Sequence, residues 1–293
     1  MSQIKLQDLL SLYVIPAKTQ DPAIQSIPTL RKVTKLAGAS FPIVRTRGYL
    51  TDIALPEADG DLHFFIETIK NAHLHQSPMQ TCEIQGLFKL GTNKKSSDPR
   101  LKPFKQLFAE LVEVTGFLRV WPEHLRDSRE PHLFELHPLL TIGLPGQAPL
   151  DFTDRVVWPT GEDEAEKARP IGTVLAGPAG LRLRRVKTRL VFATPSHGMK
   201  RENYIHVDGY CQQKPKSNGL FWQFQLFAGP QSSAAILCLA LKVSGVGPKV
   251  AAMTPGRYEI GGLAGLNIPA LTATTPAWVT QLAPVLSLKK LGH

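Results

Sequence analysis

The feature that most constrains the fold of this 293-residue chain is a series of short strand patterns that occurs twice in the same order. The first series consists of VRTRGYL, LHFFIET, QTCEIQGL, VEVTGFLRV and LFELHPLLTI. Its first two members alternate apolar and polar residues, as strands with one covered face do. The turn PEADGD between them favours a hairpin because Gly60 tolerates positive φ. Residues 102–111 change to a helical apolar period, so the order is β-β-β-α-β-β.

This order is typical of a five-stranded OB-type barrel with one short helix. The second series consists of YIHVDGYC, LFWQFQLF, AAILCLALKV, GRYEIGGL and TQLAPVLSL. Gly209 falls where Gly48 fell, and Gly262 falls where Gly116 fell. Agreement in order, spacing and strand phase over about ninety residues indicates an internal repeat. We therefore expect a mainly β protein with two tandem five-stranded OB-like barrels, the first with one short helix.

The two series and the segments around them predict four parts of the chain. They are an N-terminal helical or irregular segment (1–40), the first barrel (41–143), a linker (144–180) and a basic second barrel (181–293). The N-terminal segment begins with Leu6, Leu9 and Leu10 at helical spacing. The linker is rich in Pro, Gly and acidic residues, a composition with little core of its own.

The first series also resembles a known group of proteins. GYLTDIALPEADGDLHFFIE, VEVTGFLRV and FELHPLL are similar to the G-Y/V strand, DGD-x-H hairpin, VTG strand and terminal ELHP strand of small bacterial proteins of undetermined role. The resemblance covers roughly residues 43–142 and implies an OB-like barrel, similar in outline to staphylococcal-nuclease barrels. The Arg-rich catalytic set of those nucleases has no counterpart here, so the resemblance implies no activity.

Four ionisable residues of the first series are candidates for chemistry. Asp61 and His63 lie two apart, as do Glu135 and His137, so each pair shares one strand face. Aligning the two series by strand phase matches the four with neutral residues, in order Gly219, Phe221, Gln281 and Ala283. Barrel closure therefore does not require them.

Two interpretations of these four residues are open. If they converge, imidazole and carboxylate groups suit a divalent metal or acid/base catalysis at neutral pH. If they do not, they are turn and strand residues that hydrogen-bond their neighbours. We assign no catalytic residue, metal ligand or cofactor from the sequence, and a divalent metal belongs only to the hydrolase alternative.

The charge of the chain points to a partner class. Residues 181–293 contain 14 Lys and Arg residues against 3 Asp and Glu residues, whereas the rest of the chain is close to neutral. Such an excess favours contacts with phosphates. The densest basic stretch is LRLRRVKTRL, and the loop QQKPKSNG adds two lysines. A basic edge strand that resists aggregation is the competing interpretation.

Cations and aromatic residues share the outward strand faces, as single-stranded nucleic acid requires for phosphate contacts and base stacking. The predicted contact residues are Arg45, Arg47, Tyr49, Phe65, Arg182, Arg184, Arg185, Lys187, Arg189, Tyr204, His206, Tyr210, Lys214, Lys216 and Phe221. The competing interpretation is that these faces pack against the other barrel, the N-terminal segment or a partner chain.

Three functional hypotheses follow. The first is a non-catalytic protein that binds single-stranded DNA or RNA. The second is a metal-dependent hydrolase or nuclease, and the third is an adaptor that binds a protein partner in a larger assembly. Cys82, Cys211 and Cys238 are far apart, without disulfide or zinc-motif spacing. The start of the chain has no leader pattern and no long apolar run, so we expect a cytoplasmic protein without membrane contact.

Overall fold

The computed structural model describes residues 3–14, 23–24, 26–37, 43–54, 60–70, 79–87, 98–121, 134–158, 168–175, 182–193, 204–272 and 280–292. The elements that precede the first barrel are α1 (Leu6–Leu10), β1 (Tyr13–Val14), β2 (Ala23–Ile24) and α2 (Ile27–Ala37). The predicted helix at the N-terminus is present because Leu6, Leu9 and Leu10 form one buried face.

The first series folds into a closed barrel. Its elements are β3 (Ile43–Ile53), β4 (Leu62–Glu67), β5 (Gln80–Ile84), a 3-10 turn (Pro99–Leu101), α3 (Lys102–Gln106), β6 (Leu111–Val120) and β7 (Phe134–Gly143). Strand β3 pairs with β4 and β6, and β7 pairs with β6. A parallel pairing of β5 with β7 closes the barrel. The OB-type order and the single helix between the third and fourth strands are confirmed.

The connecting region contributes short elements and a hairpin. These are β8 (Leu150–Asp151), a 3-10 turn (Thr153–Arg155), β9 (Arg169–Pro170), α4 (Ile171–Leu175), β10 (Arg182–Val186) and β11 (Arg189–Ala193). Strands β10 and β11 form a hairpin that pairs with β2 in a four-stranded sheet. Leu190 and Phe192 bury this hairpin against the core of the first barrel. The basic stretch therefore lies outside the second barrel, contrary to the boundary predicted at residue 181.

The second series repeats the barrel. Its elements are β12 (Tyr204–Cys211), β13 (Lys216–Asn218), β14 (Phe221–Phe227), β15 (Ala235–Leu241), α5 (Gly247–Ala251), β16 (Gly256–Leu266), α6 (Ile268–Leu271) and β17 (Thr280–Lys290). Strand β12 pairs with β14 and β16, and a parallel pairing of β15 with β17 closes the barrel. The protein thus contains two closed five-stranded barrels of one topology.

Glycines at matching places explain two repeated motifs. A Cβ on Gly48 would lie 2.6 Å from Leu6 of α1, and a Cβ on Gly209 would collide with Ile171 of α4. In both barrels the glycine thus lets an outer helix approach the first strand. Gly116 and Gly262 lie at matching register irregularities, each against the last strand of its barrel.

Cross-strand pairing corrects the predicted register of the second strand. Two cross-strand pairs of the first barrel have counterparts in the second. The pair Tyr49–Glu67 corresponds to the pair Tyr210–Phe227, and the pair Phe64–Cys82 corresponds to Phe224–Cys238. The counterpart of His63 is therefore Gln223, not Phe221, and that of Asp61 is Phe221, not Gly219. The prediction was wrong by two residues because alternation has a period of two, so a shift of two keeps the phase.

The two barrels bury matching faces against each other. Members of both faces form one apolar cluster: Ile43, Phe117, Leu140, Val156, Tyr204, Phe221, Leu239, Leu241, Leu263, Ala283 and Leu286. The rings of Phe117 and Phe221 meet edge to face at 5.5 Å across this contact. Of the interpretations weighed for the outward faces, packing against the other barrel is therefore confirmed for this part of each barrel.

The three cysteines are covered by the fold. Cys82, Cys211 and Cys238 are buried free thiols. Burial raises the pKa of the Cys82 and Cys238 thiols well above the usual value. Among the described helices, none combines the length and apolar character that a membrane span needs.

Candidate functional site

Cross-strand pairing assembles a polar cluster on the face of the first barrel that meets the second. His63 on β4 lies directly opposite Glu83 on β5. Glu135 on β7 lies opposite Arg119 on β6. Direct neighbours on antiparallel strands have Cβ atoms about 4.5–5.5 Å apart, so their side chains meet. The strand order β4-β5-β7-β6 thus places a row of ionisable groups side by side.

His137 lies at the centre of this cluster. Its Nδ1 atom is 2.9 Å from Oε2 of Glu83 and 3.5 Å from Oε1 of Glu135. On the other side of the ring, its Nε2 atom is 3.8 Å from Oδ2 of Asp61. The Nε2 atom of His63 is 3.2 Å from Oε2 of Glu83. The four residues predicted from the sequence therefore converge, joined through Glu83.

The second barrel contributes a hydroxyl group to the cluster. Tyr204 on β12 donates a hydrogen bond to Oδ2 of Asp61 at 3.1 Å, and its hydroxyl oxygen lies 3.3 Å from Nε2 of His137. The other oxygen of Asp61 accepts from the backbone N–H of Gly86 at 2.5 Å. Asp61 thus links the hairpin of the first barrel with the first strand of the second.

Arg119 makes a second link between the barrels. Its guanidinium group donates to Glu135 through Nη1 and to the backbone carbonyl of Ala264 through Nε, the latter at 2.6 Å. Ala264 lies on β16 of the second barrel. One buried cation therefore holds a carboxylate of its own barrel and a carbonyl of the neighbouring barrel.

The cluster is almost completely removed from solvent. Its six residues from the first barrel are between 0 and 4 % exposed: Asp61, His63, Glu83, Arg119, Glu135 and His137. Burial alone would lower the pKa of His137, but the carboxylates of Glu83 and Glu135 raise it to about 10. Burial alone would raise the pKa of Glu83, but the imidazoles of His137 and His63 hold it well below the usual range.

The second barrel contains no ionisable group at these six places. In the register of the paired strands, the counterparts are Phe221, Gln223, Leu239, Gly265, Gln281 and Ala283. Leu239 and Ala283 lie in the apolar cluster between the barrels. The same barrel topology thus forms with charged residues at these places in the first barrel and with neutral residues in the second. The topology therefore does not require the charged residues.

Sequence reasoning missed three members of the cluster. Glu83 has a visible signal, because Thr81, Glu83 and Gln85 are polar and alternate with Cys82 and Ile84 along β5. Such a strand has one polar and one apolar face, and its pairing with β4 puts the polar face beside His63. Arg119 has a weaker signal, as a charge among the apolar residues at the end of β6, a strand that also contains Glu113. Tyr204 has none, since it comes from the other barrel.

Burial contradicts part of the predicted nucleic-acid contact set. Phe65, Tyr204 and Phe221 are between 0 and 6 % exposed, so they are not available to stack on bases. The physical reason for Tyr204 and Phe221 is that the two barrels cover each other's faces. His206 is also largely covered, with its ring 4.1 Å from the ring of Trp158. Phe65, Tyr204 and Phe221 are therefore corrected from exposed to buried, and His206 from exposed to partly buried.

The predicted contacts of the first barrel are partly engaged within the chain. Arg45 and Arg47 lie 3.6 and 2.8 Å from the carboxylate of Glu113. Tyr49 is half-buried and lines an open groove of about 470 Å³ between β3 and the N-terminal segment. Arg45 and Arg47 thus make local ion pairs, which at exposed positions contribute about 0–1 kcal/mol each.

The remaining predicted cations are exposed. Arg182, Arg184, Arg185, Lys187 and Arg189 project from the β10–β11 hairpin, which we call the cationic hairpin. Arg185 also donates to the carbonyl of Lys187 at 3.2 Å, which supports the turn. Within the described part of the chain, no carboxylate forms an ion pair with the other four. Their positive charge is therefore open to an external anion.

A second cationic surface lies on the second barrel. Lys214, Lys216, Gln223, Gln225 and Phe227 line a groove of about 110 Å³, which we call the lysine groove. Tyr210 and Phe227 are direct cross-strand neighbours, and both are half-exposed. The groove therefore combines ammonium groups, amides and the ring of Phe227, and Tyr210 lies on the neighbouring strand.

Comparisons with known proteins add a distant structural likeness. No protein-family model and no curated protein matches the chain. Among solved structures, the chain is similar to a deletion mutant of the single-stranded DNA-binding protein from Thermus aquaticus. The likeness has 11% identity and a TM-score of 0.24, and it covers 86% of this chain and 94% of that chain. At this level it carries no argument about what the present chain binds.

Proposed function

We propose that this protein binds single-stranded nucleic acid through the cationic hairpin and the lysine groove. The observation that carries the proposal is the exposure of four hairpin cations that have no carboxylate partner among the described residues. Each such cation can neutralise a phosphate and release its condensed counterions, which favours binding at moderate salt.

The lysine groove supports the preference for single strands. Tyr210 and Phe227 are half-exposed aromatic residues at paired positions of neighbouring strands, and unpaired bases stack on exposed aromatic rings. Lys214 and Lys216 at the same groove suit the phosphates that flank a stacked base. In a duplex the faces of the bases are covered by their neighbours, so this groove would contribute less to duplex binding.

The metal-dependent hydrolase is not proposed. The candidate residues Asp61, His63, Glu135 and His137 converge, but their side chains are buried between the barrels. A catalytic group must come within about 2.6–3.2 Å of a reacting atom, and this buried arrangement offers a polymeric substrate no such contact.

We expect a labelled oligonucleotide of about twenty nucleotides to bind with an affinity that falls as salt rises. In the double variant Arg182→Gln/Arg184→Gln, the slope of log K against log salt should be smaller by about 1.4, since each lost phosphate contact removes about 0.7 for single strands. Fluorescence anisotropy across a salt series measures both values.

The matched control for this test is Lys70→Gln/Lys102→Gln. It removes two exposed cations of the first barrel, outside both proposed surfaces. The control should keep the slope of the unmodified protein. Binding that is absent at low salt, or two double variants with the same slope, would rule out the cationic hairpin as the contact surface.

Removing the aromatic pair should weaken single-strand binding selectively. We expect Tyr210→Ala/Phe227→Ala to reduce affinity for an oligothymidine by about 1–3 kcal/mol for each stacked base, which is about 5- to 150-fold. Affinity for a duplex of equal length should change by less than about threefold, because its bases offer no free face. An equal loss for both ligands would contradict stacking at the lysine groove.

A further inference from the structure

We propose that the buried cluster between the barrels is a binding site for one divalent metal ion, held by Asp61, by Nε2 of His137 and by the hydroxyl of Tyr204, with Glu83 beside the other ring nitrogen. One carboxylate oxygen of Asp61, one of Glu83 and one ring nitrogen of His137 lie within 4.8 Å of one another. All three residues are buried. This inference does not depend on the proposed nucleic-acid binding.

The spacing of the donor atoms suits a small cation. Oδ2 of Asp61, Nε2 of His137 and the hydroxyl oxygen of Tyr204 form a triangle with sides of 3.1, 3.3 and 3.8 Å. Bonds of about 2.0–2.1 Å to a tetrahedral ion place neighbouring ligand atoms roughly 3.3–3.4 Å apart. The triangle therefore matches one face of such a coordination shell without a backbone movement.

A carboxylate lies on the other side of the imidazole ring. Nδ1 of His137 is completely buried and 2.9 Å from Oε2 of Glu83. Histidines that bind metal commonly have a carboxylate beside the other ring nitrogen, which fixes the orientation of the ring. Glu83 thus holds the ring with Nε2 towards Asp61 and Tyr204.

The donor set belongs to the first barrel alone. The second barrel has Phe221, Leu239 and Ala283 at the places of Asp61, Glu83 and His137, and none of these side chains can bind a metal ion.

The donor set indicates the class of ion. Imidazole nitrogen with carboxylate oxygens suits Zn²⁺ and its neighbours in the first transition series, whereas Ca²⁺ prefers six to eight oxygens. Because Tyr204 belongs to the second barrel, the ion would join the two barrels at their contact. Its role would be structural, since the site lies away from solvent.

The test uses the full chain, stripped with a chelator, dialysed and then titrated with Zn²⁺. We expect one equivalent to remain after gel filtration, measured by mass spectrometry of the metal, and a rise in melting temperature of several degrees. Replacing Zn²⁺ with Co²⁺ should give visible absorption bands typical of tetrahedral coordination. Glu83→Gln and Asp61→Asn should each reduce retained metal to less than about a fifth of an equivalent.

The matched control is Glu259→Gln, which removes a carboxylate 3.6 Å from His206 in the second barrel and should retain one equivalent. If Glu83→Gln and Asp61→Asn fail to fold, Tyr204→Phe replaces them, and it should weaken Zn²⁺ binding about tenfold or more. Retention of less than about a tenth of an equivalent by the unmodified protein would overturn the proposal. Full retention by the folded cluster variants would overturn it equally.

Discussion

Replacing Arg119 with methionine should lower the free energy of unfolding by about 3–5 kcal/mol, because it removes the guanidinium group that pairs with the buried carboxylate of Glu135. The change also removes the donor to the carbonyl of Ala264 on the second barrel. Methionine keeps most of the side-chain volume, so loss of packing contributes little. Equilibrium unfolding in urea, followed by circular dichroism, measures the effect.

The control for this prediction is the double variant Arg119→Met/Glu135→Gln. Removing the charge of Glu135 together with that of Arg119 should recover more than half of the lost stability. The second barrel already has Gly265 and Gln281 at these places, so a neutral pair is compatible with the topology. A single variant as stable as the unmodified protein, or a double variant no better than the single one, would contradict this account of the pair.

Phe221→Ala should also be strongly destabilising, by about 3–5 kcal/mol, since it removes a fully buried ring from the contact between the barrels. The ring meets Phe117 edge to face, so the cavity would open on both barrels. The loss of stability should appear as a lower midpoint of urea unfolding. At urea concentrations below that midpoint, the variant should also be cleaved faster by a protease. At temperatures where the variant is folded, its affinity for oligonucleotides should be unchanged.

Phe227→Ala is the matched control for Phe221→Ala. Phe227 lies on the same strand but is half-exposed, so its removal should cost less than half as much stability. Its effect on single-strand binding should be the larger of the two. If Phe221→Ala weakens binding while the stability is unaffected, the burial of this ring between the barrels would be contradicted.

Much of the fold could be predicted from the sequence because both series keep their order and phase. The shared glycines, the hairpin signals and the apolar alternation each arise from local geometry, which a sequence displays directly. The predicted register of the second strand was wrong because register depends on pairing between strands. A shift of two residues leaves alternation unchanged, so only the observed pairing of Phe224 with Cys238 sets the register.

The cationic hairpin was harder to predict. Its turn at Lys187 and Thr188 contains no glycine, proline or asparagine, although Lys187 adopts a φ of 54°. A turn without its usual residues has no clear sequence signal, and the stretch looked like one strand. Its attachment to the first core through Leu190 and Phe192 depends on long-range packing, which alternation does not show.

The polar cluster was predicted in part. Spacing of two put Asp61 with His63 and Glu135 with His137 on shared faces, and these faces do meet. The sequence could not say which face the second barrel covers. For this reason Tyr204 was not predicted as a member of the cluster, and Phe221 was predicted to be exposed although it is buried.

Hydrogen–deuterium exchange with and without a saturating single-stranded oligonucleotide tests the central claim most directly. We expect the ligand to slow exchange in β10, in the loop 212–216 and in β14, with no change in β5 or β7, whose charged faces lie against the second barrel. Protection confined to β5 and β7, or no protection in β10 and the lysine groove at saturation, would contradict the proposed binding surfaces.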